Sequence, residues 1–281
     1  MVKIITDTTA GLPRDLTTQL GIPVLPQIVV FGEESYRDDS ELDTATFLQK
    51  LRAARELPKT AAPPPALFTP YFRRFLDQGH SIICLHPSAD VSGTVRGATV
   101  AAQDFPGADI RVIDTRSVAG PMAAMVLQAH AWAQAGLSAA EVERRVREMI
   151  GRQMIYFLVD TLEYLQKGGR IGGAKALVGG LLQVKPILTL RDGRVEAFEQ
   201  QRTKKRAVSR LVELVADLCP HNMESHLCVM HADARADAVA IAADLAAAQG
   251  IQDIPIYELP PAIVVHGGPG VLAVGFFRSA S

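Results

Sequence analysis

Residues 161–173 of the chain read Thr161-Leu162-Glu163-Tyr164-Leu165-Gln166-Lys167-Gly168-Gly169-Arg170-Ile171-Gly172-Gly173. The apolar residues near its start predict a short helix. Gly168-Gly169 ends this helix, because glycine accepts the left-handed backbone of a helix C-terminus. Arg170 then lies on a tight turn between two glycine pairs. Taken alone, the same composition also fits a glycine-rich connection between two domains.

The residues that follow predict a second helix and a β-hairpin. Small residues at 174–180 favour a helix that packs closely on its neighbours. Residues 183–190 form a predicted strand. Asp192-Gly193 is a signal for a two-residue hairpin turn, and residues 195–198 are the returning strand.

Strands and helices alternate through the first half of the chain. Predicted strands cover residues 2–6, 24–31, 81–85, 111–113 and 154–159, and predicted helices cover 12–20, 43–55, 92–104, 122–134 and 138–149. This alternation is typical of a mostly parallel sheet with helices on its faces. Residues 36–39 are predicted to be a polar loop. Residues 58–65 are predicted to be a stiff loop, because prolines cannot donate backbone hydrogen bonds.

The pattern changes after the hairpin. A predicted helix runs to about residue 218, and strands at 226–230, 255–258 and 271–277 surround an alanine-rich helix, which together indicate an α+β unit. A length of 281 residues favours about two domains. We therefore predict an α/β fold with two domains. The first, at residues 1–153, is a mostly parallel, Rossmann-like sheet with helices on both faces. The second, at residues 154–281, is α+β, and the ligand lies between them.

The composition excludes several classes of partner. The formal net charge is −1, so the chain lacks the basic surplus of a protein that binds nucleic acid or an acidic membrane. No apolar run approaches the ~20 residues of a membrane span. Its three cysteines show no metal-binding spacing, and Cys84 in an apolar run predicts a buried thiol. An odd cysteine count without a signal peptide predicts a cytoplasmic location.

Several polar residues at predicted turns and helix starts suit an anion. Ser92 opens a helix, whose first N–H groups favour a carboxylate or phosphate, and the proline-rich loop holds Thr60. His266 precedes a glycine turn that can form an anion nest, and Arg202 begins a basic cluster. Each also has an ordinary interpretation: a helix cap for Ser92, a turn hydroxyl for Thr60, a structural histidine, and a solvated basic face.

These groups specify an anion better than they specify a reaction. The sequence contains no G-x-S-x-G, H-E-x-x-H or Walker A motif, and no G-x-G-x-x-G after the first strand. This argues against hydrolase, zinc, nucleotide and dinucleotide functions. No cofactor or metal site is predicted.

The glycine-rich stretch nevertheless carries a resemblance. The pattern T-L-E-Y-L-x-K-G-G-R-I-G, followed by V-K-P-I-L, resembles the signature of the DegV family of bacterial fatty-acid-binding proteins. Further segments follow the family in order and spacing over almost the whole chain: Asp7-Thr8-Thr9, Tyr36-Arg37-Asp38, Pro58-Lys59-Thr60, Ser92-Gly93-Thr94, Val112-Ile113-Asp114 and His266-Gly267-Gly268-Pro269-Gly270.

The resemblance implies a function. DegV-like proteins hold one long-chain fatty acid, such as palmitate, stearate or oleate, in a buried tunnel. The threonine and serine that meet its carboxylate correspond to Thr60 and Ser92. Some members present the fatty acid to a fatty acid kinase, which forms an acyl phosphate. The residues that serve this step correspond to Arg170, Arg202 and His266. The protein itself is then a non-catalytic lipid-binding subunit.

The chain departs from the family pattern at two places. Ala61 and Ala62 follow Thr60 where the family often has polar residues, so we expect a water molecule or His86 to replace the missing polar groups. His86 itself stands where the family often has a small serine. Two other functions remain compatible with the same residues: an enzyme acting on a phosphorylated small molecule, and a regulatory protein that senses a small anion.

Overall fold

The computed structural model describes residues 1–178 and 184–279. Its strands are β1 (Val2–Asp7), β2 (Val24–Leu25), β3 (Ile28–Phe31), β4 (Glu34–Arg37), β5 (Lys59–Ala61), β6 (Ser81–His86), β7 (Ile110–Asp114), β8 (Gln153–Leu158), β9 (Lys185–Arg191), β10 (Arg194–Gln201), β11 (Cys228–His231), β12 (Ile256–Glu258) and β13 (Leu272–Phe277). Its α-helices are α1 (Arg14–Leu20), α2 (Thr44–Ala53), α3 (Thr69–Leu76), α4 (Thr94–Ala102), α5 (Ala119–Gln134), α6 (Ala139–Ile150), α7 (Glu163–Lys167), α8 (Lys204–Leu218), α9 (Arg235–Gln249) and α10 (Pro261–Gly267).

The first half of the chain builds a parallel sheet in the order β2-β1-β6-β7. Successive side chains of a strand point to opposite faces, so each strand serves two layers. Ile4 and Ile83 pack with α5 and α6 on one face. Ile5 and Ile82 pack with α3 and α4 on the other. The predicted α/β arrangement with helices on both faces is therefore confirmed.

The second half builds a larger mixed sheet in the order β10-β9-β8-β13-β11-β12. Its neighbouring strands are antiparallel except for β11 and β12, as an α+β unit requires. Tyr156, Leu158 and Val274 turn to the face that α8 and α9 cover. Ile155 and Ala273, one residue away, turn to the opposite face, which looks toward the first half of the chain. The domain boundary at residue 153 remains a prediction.

A small antiparallel sheet in the order β4-β3-β5 corrects three predictions. The predicted strand at 24–31 is split at Pro26, whose nitrogen cannot donate; β2 joins the parallel sheet and β3 the small one. Tyr36 and Arg37 belong to β4 rather than to a loop. Thr60 belongs to β5, where it lies opposite Val29. Residues 59–61 contain no proline and keep their donors, so β3 can pair with them.

Two helices lie outside the predicted elements, α3 and α10. Helix α10 carries a run of buried apolar residues, Ala262, Val264 and Val265, that looks the same in sequence as a buried strand. Pro260 and Pro261 favour a helix start, since the first helical N–H groups need no partner within the helix. His266 consequently lies in the last turn of a helix, not in a loop.

The glycine-rich stretch forms the predicted short helix, α7, and a tight turn. Gly169 has the predicted left-handed backbone, with φ of 71°. Gly172 has φ of 51°, and a Cβ atom there would overlap the Val195 carbonyl oxygen, so this turn lies directly against β10. Residues 172–177 form a 3-10 helix. The predicted elements at 174–180 and 183–190 extend into residues 179–183, which lie outside the described residues.

The close approach of Gly172 to β10 predicts a stability difference between two glycine substitutions. Gly21 also has a left-handed backbone, with φ of 65°, but a Cβ atom there would have no atom of the described residues within 4 Å. Gly21→Ala should cost about 1–2 kcal/mol through backbone strain alone. Gly172→Ala should cost roughly a further 1–3 kcal/mol because the methyl group meets the Val195 carbonyl. Urea unfolding of both variants gives the loss in the free energy of unfolding for each. Equal losses would show that β10 shifts to accommodate the methyl group at no cost.

Candidate ligand-binding site

A cavity of about 140 Å³ lies between the inner face of the mixed sheet and the carboxyl ends of β1 and β6. Most of the wall is apolar and includes Ile155, Phe157, Met230, Ile263 and Ala273. The polar side chains of the wall are Thr9, Gln27, Thr60, Ser92, Arg170 and His266. The arrangement suits a ligand with an apolar body and a small polar end.

The structure brings four of the five predicted site residues to this cavity. Thr60 and His266 are in contact, with 2.8 Å between Thr60 Oγ1 and His266 Nε2. Ser92 precedes α4, and its Oγ accepts a hydrogen bond from the Thr94 N–H at 3.3 Å. Gly93, not Ser92, is the N-cap of α4, so Ser92 lies one residue before the cap. Its side chain is part of the cavity wall. The orphan N–H groups of the α4 terminus favour negative charge at this end of the cavity.

Arg170 connects the glycine-rich turn to the loop after β6. Its Nε donates to the Val91 carbonyl at 3.0 Å, and one terminal nitrogen donates to the Gly168 carbonyl at 2.7 Å. The side chain is half-buried at the cavity wall, so its charge is held close to the polar end of the cavity.

Arg202 lies elsewhere. It is exposed in the turn between β10 and α8 and is not among the described residues of the cavity wall. Thr203 caps α8 by accepting the Arg206 N–H, and Lys204 pairs with Asp237 at 3.0 Å. Thr203 and Lys204, which follow Arg202, are therefore bound to α8 and α9, while Arg202 itself is exposed.

The environment of His266 keeps its ring neutral. Burial, and then the nearby Arg170 charge, lower the pKa of His266 to about 4. The predicted anion nest after it is wrong. The Gly268 N–H donates to the Val264 carbonyl and the Gly270 N–H to the Ala232 carbonyl, both at 2.8 Å, so neither is available to a ligand.

A polar network at the polar end of the cavity, to which the wall residues Thr9 and Gln27 belong, was not predicted. Its centre is Asp7, a fully buried carboxylate at the end of β1. Asp7 accepts hydrogen bonds from the Thr9 N–H at 3.0 Å, the Thr9 hydroxyl, and Gln27 Nε2 at 3.1 Å. Gln27 Nε2 also donates to Thr94 Oγ1 at 3.0 Å. Asp7, Thr9 and Thr94 belong to segments that follow the family pattern, but nothing in the sequence connected them with one another or with Gln27.

His86 belongs to this network and does not replace the polar groups missing at Ala61 and Ala62. Its Nδ1 lies 2.7 Å from Asp7 Oδ2, and its ring packs edge-on against Phe68. The ring is fully buried one layer behind the wall. Ala62 itself lines the cavity, so this part of the wall is apolar.

Asp38 extends the network toward the surface. It accepts from the Thr8 hydroxyl at 2.9 Å and from the Gln27 N–H at 2.8 Å. Burial raises the pKa of Asp38 to about 7, and the neighbouring Asp7 charge adds to this, although the hydrogen bonds oppose it. The Asp38 carboxyl therefore takes up a proton near neutral pH.

All three cysteines are reduced and buried, as predicted for Cys84. Burial raises the pKa of the Cys228 thiol to about 12, so it is not a nucleophile at neutral pH. In residues 1–178 and 184–279, no helix has both the length and the apolar character to cross a membrane.

Comparisons with known proteins agree on one family. Residues 1–279 match the family model described as an uncharacterised protein of the DegV family. A DegV domain-containing protein of Streptomyces coelicolor is 38% identical over 275 residues, which cover 97% of each chain. A structure described as fatty acid binding of a DegV family protein from Thermus thermophilus has a TM-score of 0.90 and 32% identity, with 99% of each chain covered. DegV of Bacillus subtilis, described as a fatty acid binding protein, has a TM-score of 0.86 and 30% identity, again with 99% of each chain covered.

The raised pKa of Asp38 predicts a pH-dependent stability difference. Its contribution to stability is fully present below the unfolded pKa of 3.8 and is lost as the pH rises through the folded pKa of about 7. Asp38→Asn keeps an acceptor for Gln27 but cannot ionise. The free energy of unfolding of the variant minus that of wild type should therefore increase on the order of 1 kcal/mol per pH unit within this window and level off above it. Urea unfolding across the pH range checks this; a constant difference would contradict it.

Proposed function

This chain belongs to the DegV family, and we propose that it binds one long-chain fatty acid in the cavity, with the carboxylate at Thr60 and Ser92. The observation that carries the proposal is an apolar cavity whose polar end holds two hydroxyl groups and a helix N-terminus. Two relatives at 30% identity or more are described as fatty-acid-binding, which supports the same ligand class.

The energetics assign different roles to the tail and the head group. Burying a ~16-carbon chain contributes on the order of 12 kcal/mol gross, at about 0.8 kcal/mol per methylene. Each hydrogen bond to a carboxylate contributes only about 1.5–3 kcal/mol. Side chains such as Ile155, Phe157 and Met230 therefore set most of the affinity, while Thr60 and Ser92 orient the head group.

The same wall disfavours a phosphorylated metabolite. A phosphate with a polar body would leave its other polar groups against Val118, Leu190 and Val271, which offer no hydrogen bonds from their side chains. A long acyl chain leaves no such group unpaired. The fatty-acid proposal is therefore better supported than the enzyme and anion-sensor alternatives.

We extend the proposal to presentation of the carboxylate to a fatty acid kinase. Phosphoryl transfer to a carboxylate brings the negative charges of the carboxylate and the phosphoryl group together. Positioned cations and hydrogen-bond donors stabilise this charge. Arg170 and His266 lie at the polar end of the cavity, where an arriving phosphoryl group would meet the carboxylate. Arg202, which is exposed away from the cavity, is better placed to contact the kinase itself.

Head-group variants test the binding proposal. Thr60→Val and Ser92→Ala should each weaken palmitate binding roughly ten- to a hundredfold, since each removes one hydrogen bond to the carboxylate while the tail contacts remain. Thr99→Val is the matched control, because Thr99 is exposed on α4 and its hydroxyl donates to the Val95 carbonyl. Calorimetric titration with palmitate gives the affinities. Wild-type affinity in both site variants would place the carboxylate elsewhere.

Presentation is tested by pairing two measurements, fatty acid occupancy and acyl-phosphate formation with a fatty acid kinase from the same organism. Arg170→Ala and His266→Ala should keep bound fatty acid but lose most of the acyl-phosphate product, because the charge of Arg170 and the N–H donor of the neutral His266 ring act on the transferring group. Arg202→Ala should behave similarly through weaker kinase docking. Arg235→Ala, exposed on α9, serves as the control.

The two measurements separate the possible roles of these residues. Parallel loss of lipid and product would make Arg170 or His266 a head-group ligand. Unchanged product in all three variants would make the residues structural and remove the support for presentation.

A further inference from the structure

The buried network behind Ser92 has a defined direction of hydrogen bonding. It starts at Asp7, whose carboxylate oxygens can only accept. Gln27 Nε2 lies 3.1 Å from Asp7 Oδ1 and 3.0 Å from Thr94 Oγ1. A flipped Gln27 amide would place its oxygen against the carboxylate, so the amide nitrogen must face Asp7 and its second proton points to Thr94. Thr94 Oγ1 is therefore an acceptor from Gln27.

The burial of Thr94 determines which atom accepts its hydroxyl proton. The Thr94 side chain is fully buried, so its hydroxyl proton needs a protein acceptor. Among the described residues, Ser92 Oγ lies 2.8 Å away. If Ser92 donated to Thr94 instead, the Thr94 proton would be left buried and unpaired. Thr94 therefore donates and Ser92 accepts.

This series of hydrogen bonds ends at the cavity. Ser92 Oγ accepts from the Thr94 hydroxyl and also from the Thr94 N–H at 3.3 Å. Both acceptor positions of the Ser92 oxygen are then occupied, and its own proton remains. Ser92 lines the cavity, so this proton is available to a ligand there.

We propose that Asp7, Gln27 and Thr94 are positioning residues that make the Ser92 hydroxyl an obligate hydrogen-bond donor to the ligand head group. The inference rests on the proposed fatty-acid site and explains why that site prefers a head group that only accepts hydrogen bonds. An ionised carboxylate only accepts, so it matches a Ser92 that only donates. The head group is thus recognised through a chain of side chains that begins at Asp7, which is fully buried.

The test is a double-mutant cycle with palmitate as the probe. Thr94→Val removes the hydroxyl at nearly constant volume, and Thr94→Ser keeps it. With Ser92 present, Thr94→Val should weaken palmitate binding roughly tenfold, while Thr94→Ser stays within about twofold of wild type. In the Ser92→Ala background, Thr94→Val should change the palmitate affinity by less than about twofold, because the Ser92 hydroxyl that Thr94 positions is then absent.

Each outcome bears on a different claim. Equal losses of palmitate affinity from Thr94→Val in both backgrounds, or no loss in either, would overturn the positioning role of Asp7, Gln27 and Thr94. The proposal that the cavity binds palmitate would remain. A wild-type protein that does not bind palmitate would overturn the proposed function itself and, with it, the positioning role of these residues. Should Thr94→Val not fold, Gln27→Met takes its place in the cycle. Gln249→Met is then its control, since Gln249 is also buried but bonds the Val215 carbonyl away from the cavity.

Discussion

The hydrogen bonding of the buried Asp7 carboxylate is the constraint on which the rest of the site depends. A carboxylate removed from water is costly unless donors surround it, and Thr9, Gln27 and His86 supply them. These donors come from the segment after β1, from the break between β2 and β3, and from the end of β6. Satisfying Asp7 therefore fixes three separate pieces of chain at one end of the parallel sheet.

The apolar half of the site follows from strand alternation in the mixed sheet. Residues such as Tyr156 turn to the helices and complete a packed core, while Ile155 and Ala273 turn to the other side. That side meets the carboxyl ends of β1 and β6 and α10, and small residues, Ala119, Ala262 and Ala273, leave the space between them unfilled. The polar end of the cavity is then formed by members of the Asp7 network together with Thr60, Ser92, Arg170 and His266, and most of the remaining wall is apolar.

Much of the fold and part of the site could be predicted from the sequence. Alternating apolar strands and capped helices indicated the two sheet types, because burial on one or two faces leaves a direct pattern in the chain. Thr60 and Ser92 were identified through family resemblance, and the structure places both on the cavity wall. Their roles remain proposals.

The features that could not be predicted depend on long-range partners. Residues 59–61 become a strand only because β3 lies beside them, and α10 is too short for its apolar run to show a helical period. His86 contacts Asp7 across 79 positions, and Gln27 reaches Thr94 across 67. No residue next to either one in the sequence indicates such a partner, so the direction of the Ser92 hydrogen bond could be inferred only from the folded structure.

Mass spectrometry of an organic extract of the protein, purified from bacteria, tests the central claim most directly. Wild-type protein should release a long-chain fatty acid in about equal number to protein chains. Ala273→Phe, which places a ring in the cavity, should fold but release little. A wild-type extract that holds only phosphorylated metabolites, or equal fatty acid from both proteins, would contradict the assignment of the cavity as the fatty-acid site.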